Sequence, residues 1–193
     1  MPAFDLRYIN VAKYTNTDGV ISYAERQSFG DAMGVNLELK YAEGRLYAEG
    51  RLAEYTKLAT GGSISIATKY IPQEAQVLMF GVTAKTRKVS TKDVPGLVYS
   101  AKDVASYVGL SFYAPDKIDG ENKYTCVFVA KASFGPPGMS YETKGQNLVF
   151  KTPTTTGEFL ADDSTDEILI ETAICDSIAE AKAWCDAVLG GAA

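Results

Sequence analysis

The chain has 193 residues, of which 46% are hydrophobic and 22% charged, and a formal net charge of −5. That is the composition of one folded domain, thin for two and too apolar for a disordered chain. Histidine is absent, which removes Ser–His–acid triads, Cys–His pairs, HExxH sites and every His-ligated metal centre, and the acidic balance argues against general nucleic-acid binding.

In chain order, Phe4, Leu6, Tyr8 and Val11 open a tyrosine-rich stretch that Thr17-Asp18-Gly19 turns back, giving a hairpin or an N-terminal arm followed by a loop. From Val35 the residues alternate, with Val35, Leu37, Leu39 and Tyr41 set against Asn36, Glu38 and Lys40, which predicts a strand. Next, YAEGRL occurs twice in succession, from Tyr41 and again from Tyr47. A shift of six returns each residue to the same face of a strand, but turns it about 120° around a helix. Gly44 and Gly50 would each cost a helix about 1 kcal/mol. The repeat is therefore expected as strand, bent or bulged at one glycine.

Gly61-Gly62 is expected to break the chain before a further strand, Ser63-Ile64-Ser65-Ile66-Ala67. Pro72 at the first helical position and Gly81 past the end bracket a short helix over QEAQVLMF. Lys85, Arg87, Lys88 and Lys92 form a basic run, expected as a solvated face or a guarded sheet edge. Residues 104–113 read as strand, Asp119-Gly120 as a turn, and YTCVFVAKA (124–132) as a central strand. Gly135-Pro136-Pro137-Gly138 cannot lie inside a sheet; Asn147-Leu148-Val149-Phe150 is extended, and Pro153 marks an edge or break before Glu158-Phe159-Leu160. Finally, Ser177 and Glu180 form a capping box ahead of an amphipathic helix carrying Ile178, Ala181, Trp184, Cys185, Val188 and Leu189. Gly190-Gly191 ends it, and it should lie across a sheet or in a groove between subunits.

Little of this points to chemistry. Cys126, Cys175 and Cys185 are odd in number and lack CxxC spacing, so they are read as reduced and buried. In Asp162-Asp163-Ser164-Thr165-Asp166-Glu167, the first, third and fifth residues imitate a calcium loop. Glu167 then stands where that loop needs glycine, and Ala173 stands at its twelfth position, so a solvated turn is preferred. No Walker glycine loop follows a strand, and no catalytic, cofactor or metal residue is assigned. No apolar run is long enough to span a membrane, and the start lacks a secretory leader's basic and apolar regions.

Several stretches together resemble the major tail protein, or tail tube protein, of long-tailed bacteriophages, in its phi13-type branch. LRYINVAKYT is similar to that family's opening. Leu46-Tyr47-Ala48-Glu49 with Arg51-Leu52-Ala53-Glu54, ahead of SISI, resembles its LYADD…E segment. Val98-Tyr99 with residues 104–112 resembles its Y…DVAPYVALGF stretch, and YETKGQNLVFKTPTTTGEFL (141–160) resembles its TKG–TPT–G combination. The likeness runs nearly the whole chain in order. It departs in the first copy of YAEGRL and in glutamates where the family has aspartate.

The resemblance implies a mainly-β, sandwich- or barrel-like tail-tube domain over residues 1–193, with a short middle helix, a C-terminal helix, an N-terminal arm and extended loops for subunit contacts. It implies no enzyme and no cofactor. Subunits would form hexameric rings that stack into a tube in the virion of a Siphoviridae-like phage, made in the host bacterial cytoplasm. Their partners would be copies of themselves, the tape measure, tail terminator and distal tail proteins, and double-stranded DNA that passes without specific binding. Lumen carboxylates would repel the DNA phosphates. Two readings from other classes stand beside it. One is a carbohydrate-binding β-sandwich, which the twelve tyrosines keep open; the other is a small carboxylate hydrolase. A subunit of a related secretion or contractile inner tube would differ only in assembly.

Overall fold

The structure, a computed structural model, describes residues 5–49, 51–118, 120–139, 143 and 152–191. Phe4, Gly50, Asp119, the extended segment expected at 147–150 and the TKG part of the resemblance lie wholly or partly outside them.

The chain is mainly β with two helices, as expected. Its strands are β1 (Arg7–Thr17), β2 (Val20–Ser28), β3 (Ala32–Ala48), β4 (Arg51–Thr68), β5 (Thr83–Val89), β6 (Lys92–Val98), β7 (Val108–Ile118), β8 (Glu121–Phe134), β9 (Thr154–Leu160) and β10 (Ile170–Cys175). The helices are α1 (Gln73–Phe80), after β4, and α2 (Ile178–Val188), at the end. All pairings are antiparallel. Among the described residues, one large sheet runs β2-β1-β7-β8-β9-β4-β3, with β10 beside β9 along the same edge of β8, and β5 pairs only with β6. β8 is the central strand its apolar run foretold. The β1–β2 hairpin turns on Asp18 and Gly19, both at positive φ, the geometry a two-residue turn needs to match strand twist.

The helices cover opposite faces of this sheet. Val11 packs in the larger core with Ala75, Leu78, Met79 and Phe80 around α1, whereas its neighbour Ala12 packs with Leu189 and Trp184 at α2. Successive strand residues point to opposite faces, so the two clusters lie on the two sides. On β8, Phe128 and Ala130 face α2, but Val129, Ala132 and Phe134 all reach the α1 side. One extra β8 residue between the pairs Leu110↔Val129 and Val108↔Ala132 resets the alternation.

Three local expectations are corrected. Gly61-Gly62 does not break the chain: β4 runs through both, paired with Lys40 and Leu39 of β3, and position 62 has to be glycine because a Cβ there would collide with the buried Phe159 ring of β9. β7 starts at Val108 rather than 104: just before it the Ser106 N–H is spent on the end of α1, donating to the Met79 carbonyl (3.2 Å), while the Tyr107 carbonyl already accepts from Tyr14 N–H of β1 (2.9 Å). Pro72 is the N-cap of α1, not its first helical residue, and Gly81 closes the helix at φ 67°. At α2 the capping signal holds: Ser177 Oγ accepts from Glu180 N–H at 3.2 Å, and Glu180 reaches back to Asp176 N–H at 3.0 Å. α2 lies across the sheet on β7, β8 and β10; Ala181 and Cys185 are buried and Ile178 is exposed.

Candidate assembly surfaces

The most distinctive surface is built by the repeat. β3 and β4 pair far beyond the rest of the sheet: β9 leaves β4 at Gly62, and every described residue from 38 to 60 is exposed. The outcome is a two-stranded finger reaching on the order of 35 Å at the usual rise per residue. The first copy of YAEGRL is strand, as expected. The second is not a second pass along one face, because the chain reverses after Ala48 and its last residues, Arg51 and Leu52, return on β4. Gly44 stays in register opposite Thr56, and the bulges fall on β4, around Thr60 and Ala53, rather than at a repeat glycine.

The finger has two unlike faces. One continues the α1 side through Leu37 and carries Tyr41, Glu43, Arg45 and Tyr47, opposed by Ala59, Lys57, Tyr55 and Leu52. Here Lys57 Nζ sits 4.2 Å from the Tyr41 ring centre and the Arg45 guanidinium 5.6 Å from that of Tyr55. Hydrogen bonds from Tyr55, Arg45 and Lys57 hold the Glu43 carboxyl below its ordinary range. This face satisfies itself. The other continues the α2 side and carries Lys40, Ala42, Leu46 and Ala48 with Leu58, Thr56, Glu54 and Arg51; Leu46 is 57% exposed and Leu58 63%. Leu46 and Leu58 thus keep more than half of their surface in water on a face they share with Lys40, Glu54 and Arg51, and form a small apolar surface among the described residues.

The acidic loop is more ordered than the solvated turn expected for it. Asp162 is buried, and its Oδ1 accepts from Ser164 Oγ (2.6 Å), Ser164 N–H (3.2 Å) and Ile168 N–H (2.9 Å). Asp163 receives Lys131 Nζ at 2.8 Å and the Tyr14 hydroxyl at 2.8 Å, and these bonds pull its carboxyl down to about 2. Those two carboxylates are thus committed to protein donors. Among the described residues no group of three or more acidic, His or Cys side chains is arranged to hold a metal ion. Asp166 and Glu167 remain exposed.

Cys126 and Cys185 are buried and Cys175 is half-buried, with the Cys126 and Cys175 sulfurs 3.6 Å apart. Contact with Cys185 and burial push the Cys126 thiol up, and burial pushes Cys175 up to about 11, so both stay protonated at neutral pH and are poor nucleophiles. The cleft nearest to the hydrolase requirement lies between β2 and α1 and contains Glu25 and Glu74. A glycosidase acid needs a dry site to keep its proton, and both side chains are exposed. The basic run forms β5 and β6, every residue of β5 being exposed.

Sequence reading placed the basic run and the acidic loop but missed the finger. The available signal was the stretch from 38 to 60 itself, where neither alternation class is uniformly apolar, as a strand lying on a core requires. No helix among the described residues is long and apolar enough to cross a membrane. Neither protein-family models nor curated proteins yield a match to this chain.

Proposed function

We propose that this chain is a non-enzymatic structural subunit that assembles with copies of itself into the tail tube of a long-tailed phage. The tail-tube identity rests on the sequence resemblance. The observation that carries self-assembly is the finger, a long exposed hairpin with two exposed leucines on one face, on a sheet whose path among the described residues ends at the outer edges of β2 and β3. Open edges and uncovered apolar strands invite pairing with another chain, and a protein that keeps them has a use for them. In this proposal the domain takes its sandwich- or barrel-like surroundings from its neighbours. Hexameric rings stack through fingers and loops, the tape measure, terminator and distal tail proteins cap the tube in the virion, and double-stranded DNA passes along a lumen that repels it.

The test is negative-stain electron microscopy with light scattering over a range of concentrations, on the full chain and on one whose residues 41–58 are replaced by a two-residue turn. Rings or tubes from the first and folded monomers from the second are expected. A full chain that stays monomeric throughout while folded by circular dichroism overturns the proposal. A carbohydrate-binding module is the second reading, favoured by Tyr41, Tyr47 and Tyr55 sharing one face of the finger. Against it, Lys57 and Arg45 already stack on two of those rings.

A further inference from the structure

The β5–β6 hairpin takes no part in the surfaces above. Among the described residues it pairs only with itself, and a lone two-stranded hairpin has little stability of its own. Alternation sorts its side chains. Ala84, beside α1, is paired with Leu97, which packs on the larger core, so that face is turned inward at its Leu97 end, while its Thr86, Lys88, Asp93 and Pro95 stay exposed. The outward face carries Lys85, Arg87 and Lys92 with Val89 and Val94, the valines 58% and 47% exposed, and no carboxylate; Asp93 stands opposite Lys88 on the inward face. None of the three outward cations has an ion pair among the described residues.

Charge is segregated along this chain. Residues 83–98 hold four cations and one carboxylate, whereas residues 152–191 hold nine carboxylates and one lysine. The second group lies largely about α2. Glu171, paired with Phe128, faces that side, and the loop holding Asp166 and Glu167 is anchored there by Ile168. Asp166, Glu167 and Glu171 are exposed and have no ion pair among the described residues.

The geometry points to a head-to-tail contact between two copies of this chain, in which the outward face of the β5–β6 hairpin of one lies on the Asp166, Glu167 and Glu171 surface of the next. It rests on the self-assembly reading above and adds which surfaces meet. The two patches stand on opposite faces of the sheet, so each completed contact leaves one hairpin and one acidic surface free, and copies add until a ring closes or a filament grows. Val89 and Val94 would supply the area removed from water, while the charges set register and speed encounter. A nucleic-acid duplex is the other occupant of a cationic face. Three cations on a strongly acidic chain form a thin footprint for it.

Charge exchange tests this directly. One variant carries Lys85→Glu, Arg87→Glu and Lys92→Glu; the other carries Asp166→Lys, Glu167→Lys and Glu171→Lys. Sedimentation velocity follows assembly, and circular dichroism follows the fold. Each variant alone should associate about tenfold more weakly than the unchanged chain or worse. Their equimolar mixture should recover assembly, because each hairpin then meets a surface of opposite sign. Folded variants that assemble like the unchanged chain, or a mixture that fails to recover, overturn the pairing while leaving self-assembly intact. So does unchanged assembly with loss of binding to a DNA duplex in the first variant. An unchanged chain that never associates defeats both readings together. Should either variant not fold, the unchanged chain is titrated from ~0.05 M to ~0.5 M salt: about tenfold weakening is expected, and salt-insensitive assembly overturns the contact.

Discussion

Replacing Leu46 and Leu58 together by serine separates the finger's role in assembly from any role in folding. Both leucines sit on the finger face that continues the α2 side, and both keep more than half of their surface in water. Full burial of a leucine side chain contributes about 1.5–3 kcal/mol. The share still exposed here leaves about 1–2 kcal/mol for a partner to recover from each, or about 2–3.5 kcal/mol for the pair. At about 1.4 kcal/mol per decade, the double variant should associate about 30- to 300-fold more weakly. Its folding should hardly change, since exposed substitutions away from special features shift stability by about 0.5 kcal/mol or less. Sedimentation equilibrium measures the first quantity and urea unfolding the second. Unchanged association with an intact fold would show that this face is not a contact. A loss of stability above about 1 kcal/mol would show that the finger packs on its own domain.

Three further outcomes follow from the packing. Phe159→Ala should cost about 3–5 kcal/mol in denaturant unfolding, because Phe159 is fully buried against Gly62 and the larger core; a cost under 1 kcal/mol would contradict that placement. Ser177→Ala should lower stability by about 1 kcal/mol through loss of the α2 cap, and Ser177→Asp should largely restore it. Asp163 is depressed below its ordinary 3.8 to about 2 by Lys131 and Tyr14, so its contribution to stability is present above pH 3.8 and disappears as pH falls through about 2. A carboxyl-carbon NMR titration should find it there, and Lys131→Met should move it upward; a midpoint at or above 3.8 in the unchanged chain would refute the ion pair.

What the sequence by itself determined is whatever a few neighbouring residues can specify. Asp18-Gly19 makes a two-residue turn because those residue types tolerate positive φ. Ser177 and Glu180 start α2 because their side chains reach N–H groups a few residues away, and the β8 segment is central because both of its faces are apolar. Alternation from Val35 marked β3 for the same reason. The tertiary structure decided the rest, through partners distant in the chain. Gly61-Gly62 looks like a break locally, yet Gly62 is the space that the Phe159 ring occupies, nearly a hundred residues later. Residues 104–107 look like strand, yet the backbone of Val104 and Ser106 is drawn to the end of α1. The repeat could be read as strand, but not as a finger, since a strand's own letters do not say whether a third strand lies beside it. Among the described residues, the departure of β9 at Gly62 leaves the outer half of β3 and β4 without a third strand. The opposed basic and acidic surfaces are likewise invisible along the chain. Each run of charge is plain in the sequence, but the face it takes depends on which side of one sheet α1 and α2 come to cover.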